Sequence, residues 1–194
     1  MSAPGLVLVL DGPSSVGKSA TLAVLQQRWP EVRPGPLVEV GIGHTLDALG
    51  PSFGRWRTLI EHVEHHGDDP PERVTWGALG RELVAGMHRA AAAWSRAGFD
   101  VAVDHVLLDR STASDLAEAL DGLPVLHVGL TCDEEELARR EADRDDPTLA
   151  HAVAQLAASR DAAVRDVVID TTSRAVTDVA ELVLRHVQRH VTAR

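Results

Sequence analysis

Tyrosine is absent from this 194-residue chain, aromatic residues make up only 3%, and Cys132 is the single cysteine. One cysteine cannot close a disulfide within the chain or build a cysteine-rich metal cage. Nothing around Cys132 favours thiolate chemistry, so it reads as a packing residue at a strand end. Long apolar runs are also missing. The N-terminal run is only Leu6 to Leu10 with no basic stretch before it, too short for a leader or a membrane span. The chain is therefore expected to be cytoplasmic, without a membrane segment. Positive charge is scarce too, with 19 Lys and Arg against 29 Asp and Glu and a formal net charge of -10. That excludes the broad basic face a general nucleic-acid binder needs. Any phosphate site must be a local cluster of donors.

What is present fits an ordinary globular protein, with 44% hydrophobic and 25% charged residues. The length suits one domain over 1-194. Short apolar runs at Gly5 to Asp11, Leu37 to Ile42, Phe99 to Val103, Leu123 to Leu130 and Val167 to Ile169 read as strands. Helical spacing marks Ala20 to Trp29, Ala78 to Ala97, Asp109 to Leu120, Asp133 to Arg144, Thr148 to Val164 and Ala175 to Val191. The alternation predicts an α/β fold, a mostly parallel sheet covered on both faces that binds ligands at the carboxyl ends of its strands. A mixed segment at about 44-76 predicts a substrate-lobe insertion with short helical pieces such as Arg55 to His65, and 133-160 a lid region.

Between the first strand and the first helix stands Gly12-Pro13-Ser14-Ser15-Val16-Gly17-Lys18-Ser19, a complete G-x-x-x-x-G-K-[ST] motif followed by Ala20. Glycines at the two ends permit the backbone angles that let successive N–H groups converge on a phosphate, and the helix dipole adds attraction. Lys18 is expected to bridge the β- and γ-phosphates of ATP, and Ser19 to place its hydroxyl on Mg²⁺. Val101-Ala102-Val103-Asp104 ends a hydrophobic strand with an acid, the position of a carboxylate that polarises metal-bound water; capping a turn is the simpler alternative. Arg139, Arg140 and Arg144 share the helix after the fourth strand, where arginines can close over a transferring phosphoryl group. Glu136, Glu141 and Asp143 beside them leave open a solvated, salt-bridged face.

Through GPSSVGKS, RAGFDVAVDHVLLD, HVGLTCDEEELARRE and VVIDTT the chain resembles the chloramphenicol phosphotransferase family and, through it, nucleotide and shikimate kinases. The resemblance implies a three-layer P-loop NTPase fold with a parallel five-stranded sheet in the order 2-3-1-4-5 and an arginine-bearing lid. It implies ATP and Mg²⁺ as cofactors, Lys18 and Ser19 in the phosphate loop, Asp104 beside the metal, Arg140 and Arg144 in the lid, and a family position at Gln155. Homo-oligomers are common in such proteins, so one is expected here.

The departures bear on the acceptor. Where the family ends its second strand with glycine, a hydrophobic residue and a proton-accepting aspartate, this chain has Gly41-Ile42-Gly43-His44. His44 is the expected substitute, because histidine suits proton transfer near neutral pH, with Asp47 and Asp104 as other candidates. Pro147 replaces a later lid arginine, Arg160 stands where a histidine is expected, and Phe53 to Trp76 diverges. The expected function is transfer of phosphate from ATP to a hydroxyl of a small molecule, an antibiotic or other secondary metabolite. A nucleoside, nucleotide or sugar kinase and a nucleotide-binding regulatory protein are the alternatives. No N-K-x-D motif appears, which argues against a signalling GTPase. Glu61-His62-Val63-Glu64-His65-His66 places His62 and His66 on one helical face without matching a zinc motif, and a solvated helix is the better reading. Trp56 and Trp76 are read as packing residues, with stacking on a planar acceptor as the alternative.

Overall fold

The computed structural model describes residues 3–48, 60–63, 73–143, 151–160 and 162–192. Strand β1 (Val7–Asp11) is buried at all five positions. Such a continuous apolar run, lacking in-out alternation, belongs in the middle of a sheet covered on both faces. It lies between β5 (Asp100–His105) and β6 (Val125–Thr131), with β2 (Leu37–Gly41) and β7 (Val167–Asp170) at the edges. All four pairings are parallel. Counting only the strands of this sheet, the order is 2-3-1-4-5, as expected.

The pleat divides the core in two. Leu8 and Leu10 point toward α1 (Lys18–Arg28) and α7 (Val176–Thr192), packing with Leu22, Leu25, Val183 and Val187. Val7 and Val9 point toward α3 (Ala78–Arg96) and α4 (Arg110–Ala119), packing with Met87, Ala91 and Leu116. Helix α7 carries its buried Val179, Val183 and Val187 at i, i+4 and i+8, so one stripe covers the sheet. Asp109 caps α4 by accepting the Thr112 N–H at 2.8 Å. Helices α5 (Glu134–Ala142) and α6 (Ala152–Arg160) follow β6.

The expected helix Arg55 to His65 is not what forms at 60–63. There β3 (Ile60–Val63) pairs antiparallel with β4 (Arg73–Trp76), while α2 (Ile42–Ala48) precedes it. A partner strand ten residues downstream supplies backbone hydrogen bonds that a four-residue helical fragment could not match. His62 therefore lies on a strand, away from the helical pairing with His66, which is itself outside the described residues, as are Trp56, Arg144 and Pro147. Among the described residues no group of three or more His, Cys, Asp or Glu is placed to hold a metal. Trp76 and Cys132 are buried, in keeping with packing roles.

Candidate active site

The loop between β1 and α1 sits at the carboxyl ends of β1 and β5. Gly17 has φ 101° and Ser15 φ 61°, left-handed angles that turn consecutive amides inward. At Gly12 a Cβ would fall 2.5 Å from the main-chain oxygen of Leu130, so only glycine fits against β6.

Lys18 is the only lysine in the chain and is 7% exposed. Its Nζ donates to the main-chain oxygens of Gly12 and Pro13, both at 2.9 Å, and lies 3.8 Å from Asp104 Oδ1. Ser19 Oγ donates to Asp104 Oδ2 at 3.0 Å. The strand-end aspartate and the loop are thus joined, although 85 residues separate them.

The arginines of α5 divide. Arg139 faces solvent, paired with Glu136 and Asp143. Arg140 turns inward, donating to Glu136 Oε1 at 2.7 Å, to Thr171 Oγ1 at 3.1 Å, and to the main-chain oxygens of Thr171 and Thr172 at 2.8 and 3.1 Å. Hydrogen bonds from both arginines lower the Glu136 pKa to about 2. Thr171, from the late VVIDTT segment, also places its hydroxyl 3.1 Å from the main-chain oxygen of Val16 in the loop. Its part was not readable from its sequence position.

A cavity of about 420 Å³ opens over these groups, lined by Ser14, Lys18, Ser19, Gly43, Asp104 and Arg140 among others. A smaller one of about 190 Å³ adjoins the loop on the Thr171 and Arg174 side and shares Arg140. A larger cavity, about 750 Å³, lies against α4 and the 162–164 segment and contains none of the loop residues. Its size does not outweigh the convergence of charge at the smaller site.

Gly43 contributes to the cavity wall; His44, one residue on, is mostly exposed, with Nδ1 3.8 Å from Glu39 Oε1. Glu39, on β2, belongs to no motif that would mark it from sequence. Burial raises its pKa, the nearby Asp104 charge adds to the rise, and His44 opposes it. Asp47 belongs to α2, but its side chain is outside the described residues. Gln155 reaches the loop from α6, its Oε1 accepting the Ser14 N–H at 2.7 Å. Arg160 is exposed and lies 3.9 Å from Glu134.

A second set of charges lies beneath the loop on the other face of the sheet. Asp11 is wholly buried; it accepts the Leu107 N–H at 3.0 Å and is paired with Arg165, while His127 Nε2 stands 3.7 Å away. Burial acts to raise the Asp11 pKa, but His127, Arg165 and the Leu107 amide outweigh it and bring it to about 2. Next to it His88 bridges Asp115 at 2.6 Å and His105 at 2.7 Å. Burial, with His88 alongside, drives the His105 pKa to about 3.

A phosphate loop at the head of a 2-3-1-4-5 parallel sheet, with a serine and a strand-end aspartate joined beside its lysine and an arginine over the mouth, defines the class of P-loop phosphotransferases. The chain belongs to the chloramphenicol phosphotransferase-like protein family, whose model matches residues 5–188. No curated protein matches it in sequence. Its fold is similar to that of the Mycobacterium tuberculosis APS kinase in complex with AMPPNP and APS, at 14% identity, with 94% of this chain and 97% of that one covered and a TM-score of 0.68. It is also similar to a gluconokinase from Sinorhizobium meliloti, at 19% identity, 97% and 94% coverage and a TM-score of 0.60. A third likeness is to the Deinococcus radiodurans tunicamycin resistance protein, at 20% identity, 94% and 95% coverage and a TM-score of 0.58.

Proposed function

We propose that the protein transfers the γ-phosphate of ATP to a hydroxyl of a small molecule, an antibiotic or other secondary metabolite, in the cytoplasm. The observation that carries this reading is the junction of Lys18, Ser19 and Asp104 at one cavity wall, with Arg140 at the same opening. The loop amides and Lys18 bind the phosphates, and Arg140 offsets charge on the transferring group, a role the reading also gives to Arg144 from its sequence position. The pair Ser19 Oγ and Asp104 Oδ2, hard oxygens 3.0 Å apart, suits Mg²⁺, and these residues would hold the ion together with the nucleotide. When bound, the ion neutralises phosphate charge. His44 accepts the hydroxyl proton in this reading, supported by its exposed ring next to the Gly43 wall. Because phosphoryl transfer is largely dissociative, positioning and charge neutralisation outweigh the base.

The family and the antibiotic-resistance relative support a secondary-metabolite acceptor. Sugar phosphorylation is the second reading, favoured by the gluconokinase and a further sugar kinase of the same fold. A homo-oligomer belongs to the proposal, in line with the hexameric APS kinase that shares the fold. Among the described residues no helix is long and apolar enough to cross a membrane.

The test is transfer of γ-labelled phosphate from ATP and Mg²⁺ to a panel of hydroxylated antibiotics, sugars and nucleosides, with product mass analysis. Labelling of an antibiotic supports the first reading and labelling confined to sugars the second. ATP uptake with no labelled acceptor and nucleotide-dependent partner binding would point to a regulatory protein instead.

A further inference from the structure

Ser14 lies in the phosphate loop and lines the cavity over it, and its main-chain N–H is engaged within the chain. It donates to Gln155 Oε1 at 2.7 Å, a contact spanning 141 residues between the loop and α6. Gln155 is wholly buried, and its Nε2 has no hydrogen-bond partner among the described residues. Only an acceptor can meet an N–H, so the carboxamide oxygen has to face Ser14. A buried amide group left idle is uncommon and unfavourable, which means the side chain is seated by its Ser14 contact and not by the needs of its own nitrogen.

Lys18 shows the same pattern. Its ammonium rests on the main-chain oxygens of Gly12 and Pro13 at 2.9 Å, so the loop's groups are satisfied from within the chain. Gln155 is also linked to the rest of the site. Glu141 of α5 accepts the Ala152 N–H at the start of α6 at 3.1 Å, and Arg140, on the same helix as Glu141, lines the cavity with Ser14.

We propose that Gln155 competes with phosphate for the loop, its Oε1 holding the Ser14 N–H until an oxygen of a nucleoside polyphosphate displaces it. This deepens the phosphate-loop reading and rests on it. One N–H cannot serve two acceptors at full strength, and an ionised phosphate oxygen is a better acceptor than a neutral carboxamide. Displacement also frees the idle Nε2 from its unsatisfied seat. Gln155 is thus a positioning residue that tunes nucleotide affinity by competing for the loop.

Calorimetry with ADP and thermal denaturation with and without ADP test this on Gln155→Met, which keeps the bulk and removes the acceptor. The ligand-free melting temperature should fall while ADP binds roughly 3- to 10-fold tighter, the worth of one competing hydrogen bond. Gln155→Glu, whose charged oxygen grips Ser14 more firmly, should bind ADP more weakly. In the unmodified chain the Gln155 side-chain amide resonance, assigned by its absence in Gln155→Glu, should shift and exchange with water faster when ADP is added. Weaker or unchanged ADP binding by Gln155→Met, or a resonance indifferent to ADP, overturns the proposal while leaving the loop's role standing. Failure of the unmodified chain to take up ADP or ATP removes both.

Discussion

Asp104 and His105 are consecutive in β5, yet the pleat sends them to opposite faces and to opposite fates. Asp104 meets Ser19 and Lys18 under an open cavity. His105 meets His88 in a sealed interior, and Asp11, which ends the neighbouring strand, lies on the same side with Arg165. Both clusters are rich in titratable groups with partners. The closed one carries strongly displaced pKa values, near 2 for Asp11 and near 3 for His105. Displaced pKa values alone therefore do not locate the chemistry in this molecule; access for a ligand does. The sealed cluster supports the floor of the loop, since Gly12 N donates to the main-chain oxygen of His105 at 3.3 Å.

The comparison is sharpest where one cluster is damaged and the other spared. Arg165→Leu leaves the Asp11 carboxylate buried without its guanidinium, and a lost partner in a buried pair costs about 3–5 kcal/mol. Arg165 can reach Asp11 only because position 129 is glycine: a Cβ there would lie 2.2 Å from Arg165 Cδ. Urea unfolding should show the loss, while nucleotide affinity of the folded fraction stays within about threefold. A variant of undiminished stability would show that His127 and the amides suffice for Asp11. Asp104→Asn is the converse. Turnover should drop by roughly 10²-fold or more, the scale of losing one electrostatic stabiliser, with little change in the urea midpoint. If stability fell and turnover held, the assignment of function to the open cluster would be reversed.

Acid should act first on the sealed side. Folded His105 takes up its proton only at about 3, whereas the unfolded chain takes it up near ~6.5. The unfolded state therefore binds more protons as pH falls below ~6.5, and stability declines by up to ~1.4 kcal/mol per pH unit for that group. His88, lowered chiefly by burial, adds in the same direction. Asp11 contributes later. Its stabilisation is full above the unfolded carboxylate range and is lost as pH falls from about 4 toward 2. Unfolding free energies from pH 7.5 to about 4 should thus slope downward in the unmodified chain and less steeply in His105→Phe, where His88 alone of the pair remains. Parallel slopes would mean that water or rearrangement relieves the buried pair.

Sequence made the open cluster legible and left the sealed one dark. The loop, Asp104 and the alternation that builds a parallel sheet are local patterns whose meaning depends on a few adjacent residues. Arg140 was legible as one of a cluster, but its difference from Arg139 arises from Thr171, 31 positions away. Arg165, Gly129 and Asp11 come together only through strand pairing and side-chain reach. The β3–β4 hairpin stayed hidden for a related reason, because its pairing outweighs the helical spacing of the histidines. Gln155 stood at a family position, yet its contact with Ser14 is visible only in three dimensions.

The smallest expected effect on stability lies at Gly43, on the open side. An added Cβ meets nothing within 4 Å, and the residue is in the first turn of α2, where a carboxylate complements the helix dipole. Replacing a helical glycine typically adds ~0.5–1 kcal/mol, against which the nearby Asp104 and Glu39 charges act. Gly43→Asp should accordingly fold with a melting temperature within a few degrees of the parent. It also returns a carboxylate to the wall position at which the resemblance to the family expects the proton acceptor. If His44 is serving in that role, His44→Ala should slow transfer by roughly 10-fold or more, and Gly43→Asp should rescue the double variant. No loss in His44→Ala, or no rescue despite normal nucleotide uptake, would remove the imidazole from the mechanism and leave Asp104 and its neighbours to carry the site on charge and position alone.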